Sequence, residues 1–198
     1  MGLKNSEHIA RILIDPRDPD VVYAAAEGPL WSAGGERGLF KSVDGGRTWT
    51  PSLIISADTG VASAEFEPGD PDILYAAAYQ RRRSVAAFMG GGPESGIYKS
   101  EDAGKTWRKL SVGLPKGDMG KIGLAVSPLD PRVVYATIEA SPEERGFYRS
   151  ADRGESFEKR NSYLSGGTGP HYYQEIFADP NVFDRVYQMD YWLQVTDD

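Results

Sequence analysis

The stretch GLFKSVDGGRTWT, Gly38–Thr50, decides the fold, because its wording returns as GIYKSEDAGKTWRKL from Gly96 and as GFYRSADRGESFEKR from Gly146. In each copy a short run of strand-forming residues meets Ser-x-Asp-x-Gly and closes on a hydroxyl residue and an aromatic. An aspartate in such a setting accepts hydrogen bonds from backbone N–H groups just downstream and makes an Asx-type turn. The glycine supplies a positive φ, and the aromatic buries a large area under the turn. The three sets are Ser42, Asp44, Gly46 and Trp49; Ser100, Asp102, Gly104 and Trp107; and Ser150, Asp152, Gly154 and Phe157. They are expected to be hairpin devices rather than catalysts.

A second phrase alternates with the first. ILIDPRDPDVVYAAA (12–26), AEFEPGDPDILYAAA (64–78), LAVSPLDPRVVYATI (124–138) and IFADPNVFDRVYQMD (176–190) carry Tyr23, Tyr75, Tyr135 and Tyr187 at matching places. The unit is thus roughly 50–60 residues long. Within it, an apolar run ends at a proline turn and a Val/Tyr/Ala run follows; after a variable loop come GLFKS and its equivalents, the Asp/Gly turn and a fourth strand. No segment has a 3.6-residue apolar period. The expectation is an all-β chain: a partial β-propeller of four-stranded antiparallel blades, three complete (about 8–55, 60–112 and 119–161) and a truncated fourth (172–198). Thr196 and Asp198 align with Ser42 and Asp44, so residues 1–198 read as one partial propeller domain cut from a longer protein.

Composition bounds the function. The formal charge of −7 argues against a nucleic-acid backbone as partner, and the absence of cysteine excludes thiol catalysis, disulfides and zinc–thiolate sites. No run reaches the roughly 18 apolar residues of a membrane span, and the first residues lack a signal-peptide layout. Neither a metal nor a cofactor is expected, since His8 and His171 have no third ligand near them in sequence.

The pattern Ser-x-Asp-x-Gly-x-Thr-Trp resembles the Asp-box, or bacterial neuraminidase repeat. With phrases such as DPDVVYAAA and GGGPESGIYKSEDAGKTW, the whole chain looks most similar to bacterial sortilin-type propeller proteins, often labelled glycosyl hydrolase-like. That resemblance implies turns on the outer rim, away from a central site, and an extracellular or periplasmic parent protein. True sialidases carry Arg-Ile-Pro where this chain has Arg11-Ile12-Leu13, so sialidase activity is not implied.

Strand order separates two faces. Proline turns and Asp/Gly turns share one; the long loops 27–37, 79–95 and 139–145 share the other with the links between blades, and by fold analogy that loop face carries ligand sites. Arg81, Arg82 and Arg83 lie there and suit a carboxylate or phosphate through forked hydrogen bonds, or else neighbouring acids. Trp31, His171, Tyr172 and Tyr173 are further ligand-binding candidates, the rings as sugar platforms or as buried anchors. Asp58 and Asp118 occupy corresponding links and are the candidate catalytic pair, a glycosidase needing two carboxylates roughly 5–9.5 Å apart.

Because the strong motifs are structural, the leading reading is a non-catalytic module presenting a protein, peptide or glycan ligand face. The alternative is a carbohydrate-active glycoside hydrolase, and a third reading is an assembly scaffold. Open sheet edges would pair with remaining blades of the parent or with another copy.

Overall fold

The computed structural model describes residues 2–164 and 174–196. Among them there is no helix. Sixteen strands form four antiparallel sheets arranged as propeller blades. Blade 1 contains β1 (Ile9–Ile14), β2 (Val22–Ala26), β3 (Gly38–Ser42) and β4 (Thr50–Leu53). Blade 2 contains β5 (Thr59–Glu67), β6 (Asp70–Arg83), β7 (Phe88–Gly90), β8 (Gly96–Ser100) and β9 (Arg108–Lys109). Blade 3 has β10 (Ile122–Val126), β11 (Val134–Ile138), β12 (Gly146–Ser150) and β13 (Glu158–Asn161). Blade 4 shows β14 (Ile176–Ala178), β15 (Val186–Gln188) and β16 (Gln194–Thr196).

The second strands are buried on both faces, which explains their unbroken apolar spelling: Ala24–Ala26 and Ala76–Ala78 lie almost wholly out of solvent, and small side chains let neighbouring sheets approach. Alternate residues of one strand serve different seams. Leu74 and Ala76 pack with Tyr23, Leu39, Leu53 and Val61 of the first seam, whereas Tyr75 and Ala77 pack with Ile122, Leu124 and Tyr148 of the second. A third cluster, around Tyr135, Phe147, Ile176 and Val186, joins blades 3 and 4. Among the described residues the core is therefore three layers between blades.

The recurrent tyrosine tethers each blade to the next. Tyr23 Oη donates to the Ala103 carbonyl (2.8 Å), Tyr75 Oη to the Arg153 carbonyl (3.0 Å) and Tyr135 Oη to Asp184 Oδ1 (2.6 Å). All three acceptor residues are non-glycine residues in the left-handed region, with φ of 56°, 59° and 60°. At Ala103 and Arg153 the turn that follows β8 or β12 thus points a carbonyl at the preceding blade.

Inside those turns the bonding is nearly the same three times. Ser42, Ser100 and Ser150 donate to Oδ1 of Asp44, Asp102 and Asp152 and accept from the N–H of Gly46, Gly104 and Gly154. Each aspartate then accepts from the backbone N–H of Thr48, Thr106 or Ser156 through Oδ1, and from its hydroxyl through Oδ2. These bonds hold the Asp44 carboxyl far below its ordinary value and that of Asp102 down to about 2. Trp107 reaches back to Ser52 of blade 1 (3.3 Å), and the Phe157 N–H donates to the Val112 carbonyl of blade 2 (3.0 Å), so the closing aromatic also faces the previous blade.

The innermost strands β1, β5, β10 and β14 surround a cavity of about 30 Å³, enough for a water. Arg11 pairs there with Glu65 at 2.5 Å and stands 5.9 Å from the Phe177 ring of blade 4. Burial pushes Glu65 up to about 7 despite that partner. At Gly123 of β10 the chains approach so closely that a Cβ would lie 1.6 Å from the Gln174 carbonyl oxygen.

One expectation needs correction. Residues 79–95 are not a loop throughout: β6 runs on to Arg83 and pairs with β7 in a hairpin that extends the blade. The fourth strands begin just after Trp49 and Trp107.

Candidate glycan-binding site on the loop face

The loop face between blades 1 and 2 is built around buried arginines. Arg37, missed by sequence reading, is 2% exposed and donates to the carbonyls of Glu27 (2.7 Å), Pro29, Ser32 (2.8 Å) and Gly34 (3.0 Å). One side chain so fixes the loop that carries Trp31. A lone arginine just before β3 gave no signal of this, because its partners are all main-chain atoms.

The three consecutive arginines separate by environment. Arg81 pairs with the buried Glu27 at 2.5 Å, and Arg82 with Asp58 at 3.1 Å. Arg83 donates its backbone N–H to Leu30 (2.7 Å), and its guanidinium lies 5.9 Å from the Trp31 ring and 4.8 Å from that of Phe88. Strand alternation in β6 is what sends neighbouring arginines to different partners.

Deeper in the same region, the Tyr79 hydroxyl is buried and, among the described residues, makes no hydrogen bond; the Arg81 Nε–H is likewise unpaired. The Tyr79 phenol is pushed up, first by burial and then by the charges of Glu139 and Glu27. Glu27, Tyr79 and Glu139 each follow the recurrent tyrosine by the same interval: Glu27 and Glu139 lie just past β2 and β11, while Tyr79 lies inside the longer β6. Burial raises Glu139 above its ordinary value, although its Oε2 accepts the Lys121 N–H (3.1 Å). Glu94 is lowered by the hydroxyls of Ser56 and Thr59, both at 2.5 Å.

The remaining candidates are dispersed. Asp58 sits at the first seam, held by Arg82, while Asp118 lies exposed in a groove of about 310 Å³ with Pro93, Lys109 and Lys116, at the second seam. His8 Nδ1 is 3.2 Å from the Gly28 carbonyl. His171, Tyr172 and Tyr173 lie outside the described residues. Among the described residues no three His, Asp or Glu side chains converge to hold a metal. Trp31 is 62% exposed, and Trp192, in the β15–β16 connection of the same face, is 76% exposed. Nothing had singled out Trp192 in the sequence, since it lies where the repeat is least regular.

No family model matches the chain. It is 28% identical over 168 residues to the xyloglucanase Xgh74A of Acetivibrio thermocellus, covering 79% of this chain and 18% of that protein. It is 29% identical over 147 residues to the oligoxyloglucan-reducing end-specific xyloglucanase of Emericella nidulans, covering 74% and 17%. Both relatives are xyloglucanases. The chain thus spans under a fifth of their length. Among solved structures, the GH74 xyloglucanase of Xanthomonas campestris superposes with a TM-score of 0.69 at 20% identity, over 96% of this chain and 28% of that one. The GH74 enzyme of Niastella koreensis gives 0.68 at 19%, over 96% and 29%. These superpositions establish the propeller fold. The likeness to xyloglucanases overturns the non-catalytic module as leading reading: absence of an assembled catalytic pair in the sequence was weak ground, because the pattern that recurs is the scaffold's. The glycoside hydrolase alternative fits better.

Proposed function

We propose that this chain is part of a glycoside hydrolase acting on a xyloglucan-like polysaccharide. The observation that carries the reading is its sequence similarity to xyloglucanases along 79% of its length. Exposed indoles at Trp31 and Trp192 on one face support it, since sugar rings stack their C–H faces on such platforms. Glu139 and Glu27 are the carboxylates assigned to the chemistry. Glu139, raised by burial, is suited to protonate the leaving oxygen; Glu27, ion-paired to Arg81, is suited to the nucleophile or base role. Asp58 and Asp118 are the second choice. The turns around Asp44, Asp102 and Asp152 are read as Asp-boxes, and a polysaccharide substrate places the protein outside the cytoplasm.

The test is release of reducing ends from xyloglucan by the protein and by Glu139→Gln, Glu27→Gln, Asp58→Asn and Asp118→Asn. Loss of a general acid is expected to slow turnover about 10²–10⁴-fold. The comparison is made in the full-length protein: a Glu139→Gln form as active as the unaltered one removes that assignment, and an inert full-length protein removes the function.

A further inference from the structure

We propose that Arg83, Trp31 and Phe88 form a subsite for the carboxylate of an acidic sugar unit, an inference that rests on the glycoside hydrolase reading. The chain carries a formal charge of −7, and the two arginines preceding Arg83 are each matched to a carboxylate, Glu27 and Asp58. Arg83 has no acidic partner among the described residues; its guanidinium lies over two aromatic rings instead. A guanidinium held over ring faces spends none of its N–H donors on an acid there, and a carboxylate can take two of them in parallel hydrogen bonds.

The arrangement is held from the backbone. Arg83 and Phe88 are opposite partners in the β6–β7 pairing, and the Arg83 N–H bond to Leu30 ties that hairpin to the Trp31 loop. Trp31 presents 62% of its surface to solvent, so a pyranose ring can lie on the indole while its carboxylate meets the fork. A neutral sugar would use the indole alone. A site built only for neutral glucan has no need of an uncompensated cation beside the platform.

The probes are polygalacturonate, neutral xyloglucan and polyglutamate, with binding followed by tryptophan fluorescence and xyloglucan hydrolysis followed separately. The parent is expected to bind polygalacturonate in a salt-sensitive manner, and Arg83→Met to weaken it about tenfold or more, with Arg83→Lys between them. Trp31→Ala weakens both glycans. Because the Arg83 backbone bond survives either substitution, unchanged circular dichroism separates lost binding from misfolding. Equal affinity of the parent and Arg83→Met for polygalacturonate overturns the subsite, as does polyglutamate binding as tightly as polygalacturonate. Hydrolysis of xyloglucan without polygalacturonate binding overturns the subsite and leaves the function standing. Arg83-dependent polygalacturonate binding by a full-length protein that cuts nothing supports the subsite and removes the function.

Discussion

Replacing Tyr75 by Phe should destabilise the protein more than the same change at Tyr23, although both tyrosines are buried and make the same kind of inter-blade bond. The reason lies at the acceptors. The Ala103 carbonyl receives both Tyr23 Oη at 2.8 Å and Lys41 Nζ at 3.0 Å, so losing the phenol leaves it bonded. The Arg153 carbonyl receives only Tyr75 Oη among the described residues. Tyr23→Phe then costs about 0.5–1.5 kcal/mol, the net worth of a hydrogen bond, whereas Tyr75→Phe costs about 1–3 kcal/mol because an acceptor loses its partner. For a chain of this length, Tm falls about 2–4 °C per kcal/mol. Thermal unfolding followed by tryptophan fluorescence reads the difference, and the double variant should show additive losses within about 0.5 kcal/mol, because the tethers lie in separate seams. A Tyr23→Phe protein that melts at or below Tyr75→Phe would refute the reasoning.

Acidification should weaken the turns. A depressed carboxyl contributes stability above its unfolded value of about 3.9 and loses it as pH falls through the folded value, here about 2 for Asp102 and Asp130. Urea midpoints should therefore drop between pH 5 and 2, and less steeply in Asp102→Ala. Glu65 works in the opposite sense: raised to about 7, it binds a proton more readily when folded, so its contribution worsens as pH rises from about 4.5 to 7, and Glu65→Gln should flatten that slope in the same measurement. Gly123→Ala should destabilise by more than about 2 kcal/mol through backbone collision with Gln174, whereas Gly34→Ala, at φ 77° with nothing nearby, should cost about 1 kcal/mol; chemical denaturation distinguishes them.

Much of the architecture was legible because its cause is local. The carboxylates of Asp44, Asp102 and Asp152 bond within their own turns, and the tyrosine phrases spell doubly buried strands. The β6–β7 hairpin was not legible, since Arg81-Arg82-Arg83 breaks any apolar alternation and its pairing with Phe88–Gly90 is fixed by the blade. The site was harder still. Glu27 and Glu139 followed second strands in plain view, but only the ion pair of the buried Glu27 with Arg81 and the burial that raises Glu139 distinguish them from ordinary surface acids. Arg37 acts through main-chain carbonyls, which carry no residue signature at all.

Each apolar layer among the described residues lies at a boundary between two units, so one joint packs without reference to the next. Such an assembly suits gene duplication, since at the first two joints an outgoing phenol meets the same kind of incoming turn carbonyl. Divergence is then free to act on the opposite rim, where an aromatic or a charge can change without renegotiating the joints beneath it.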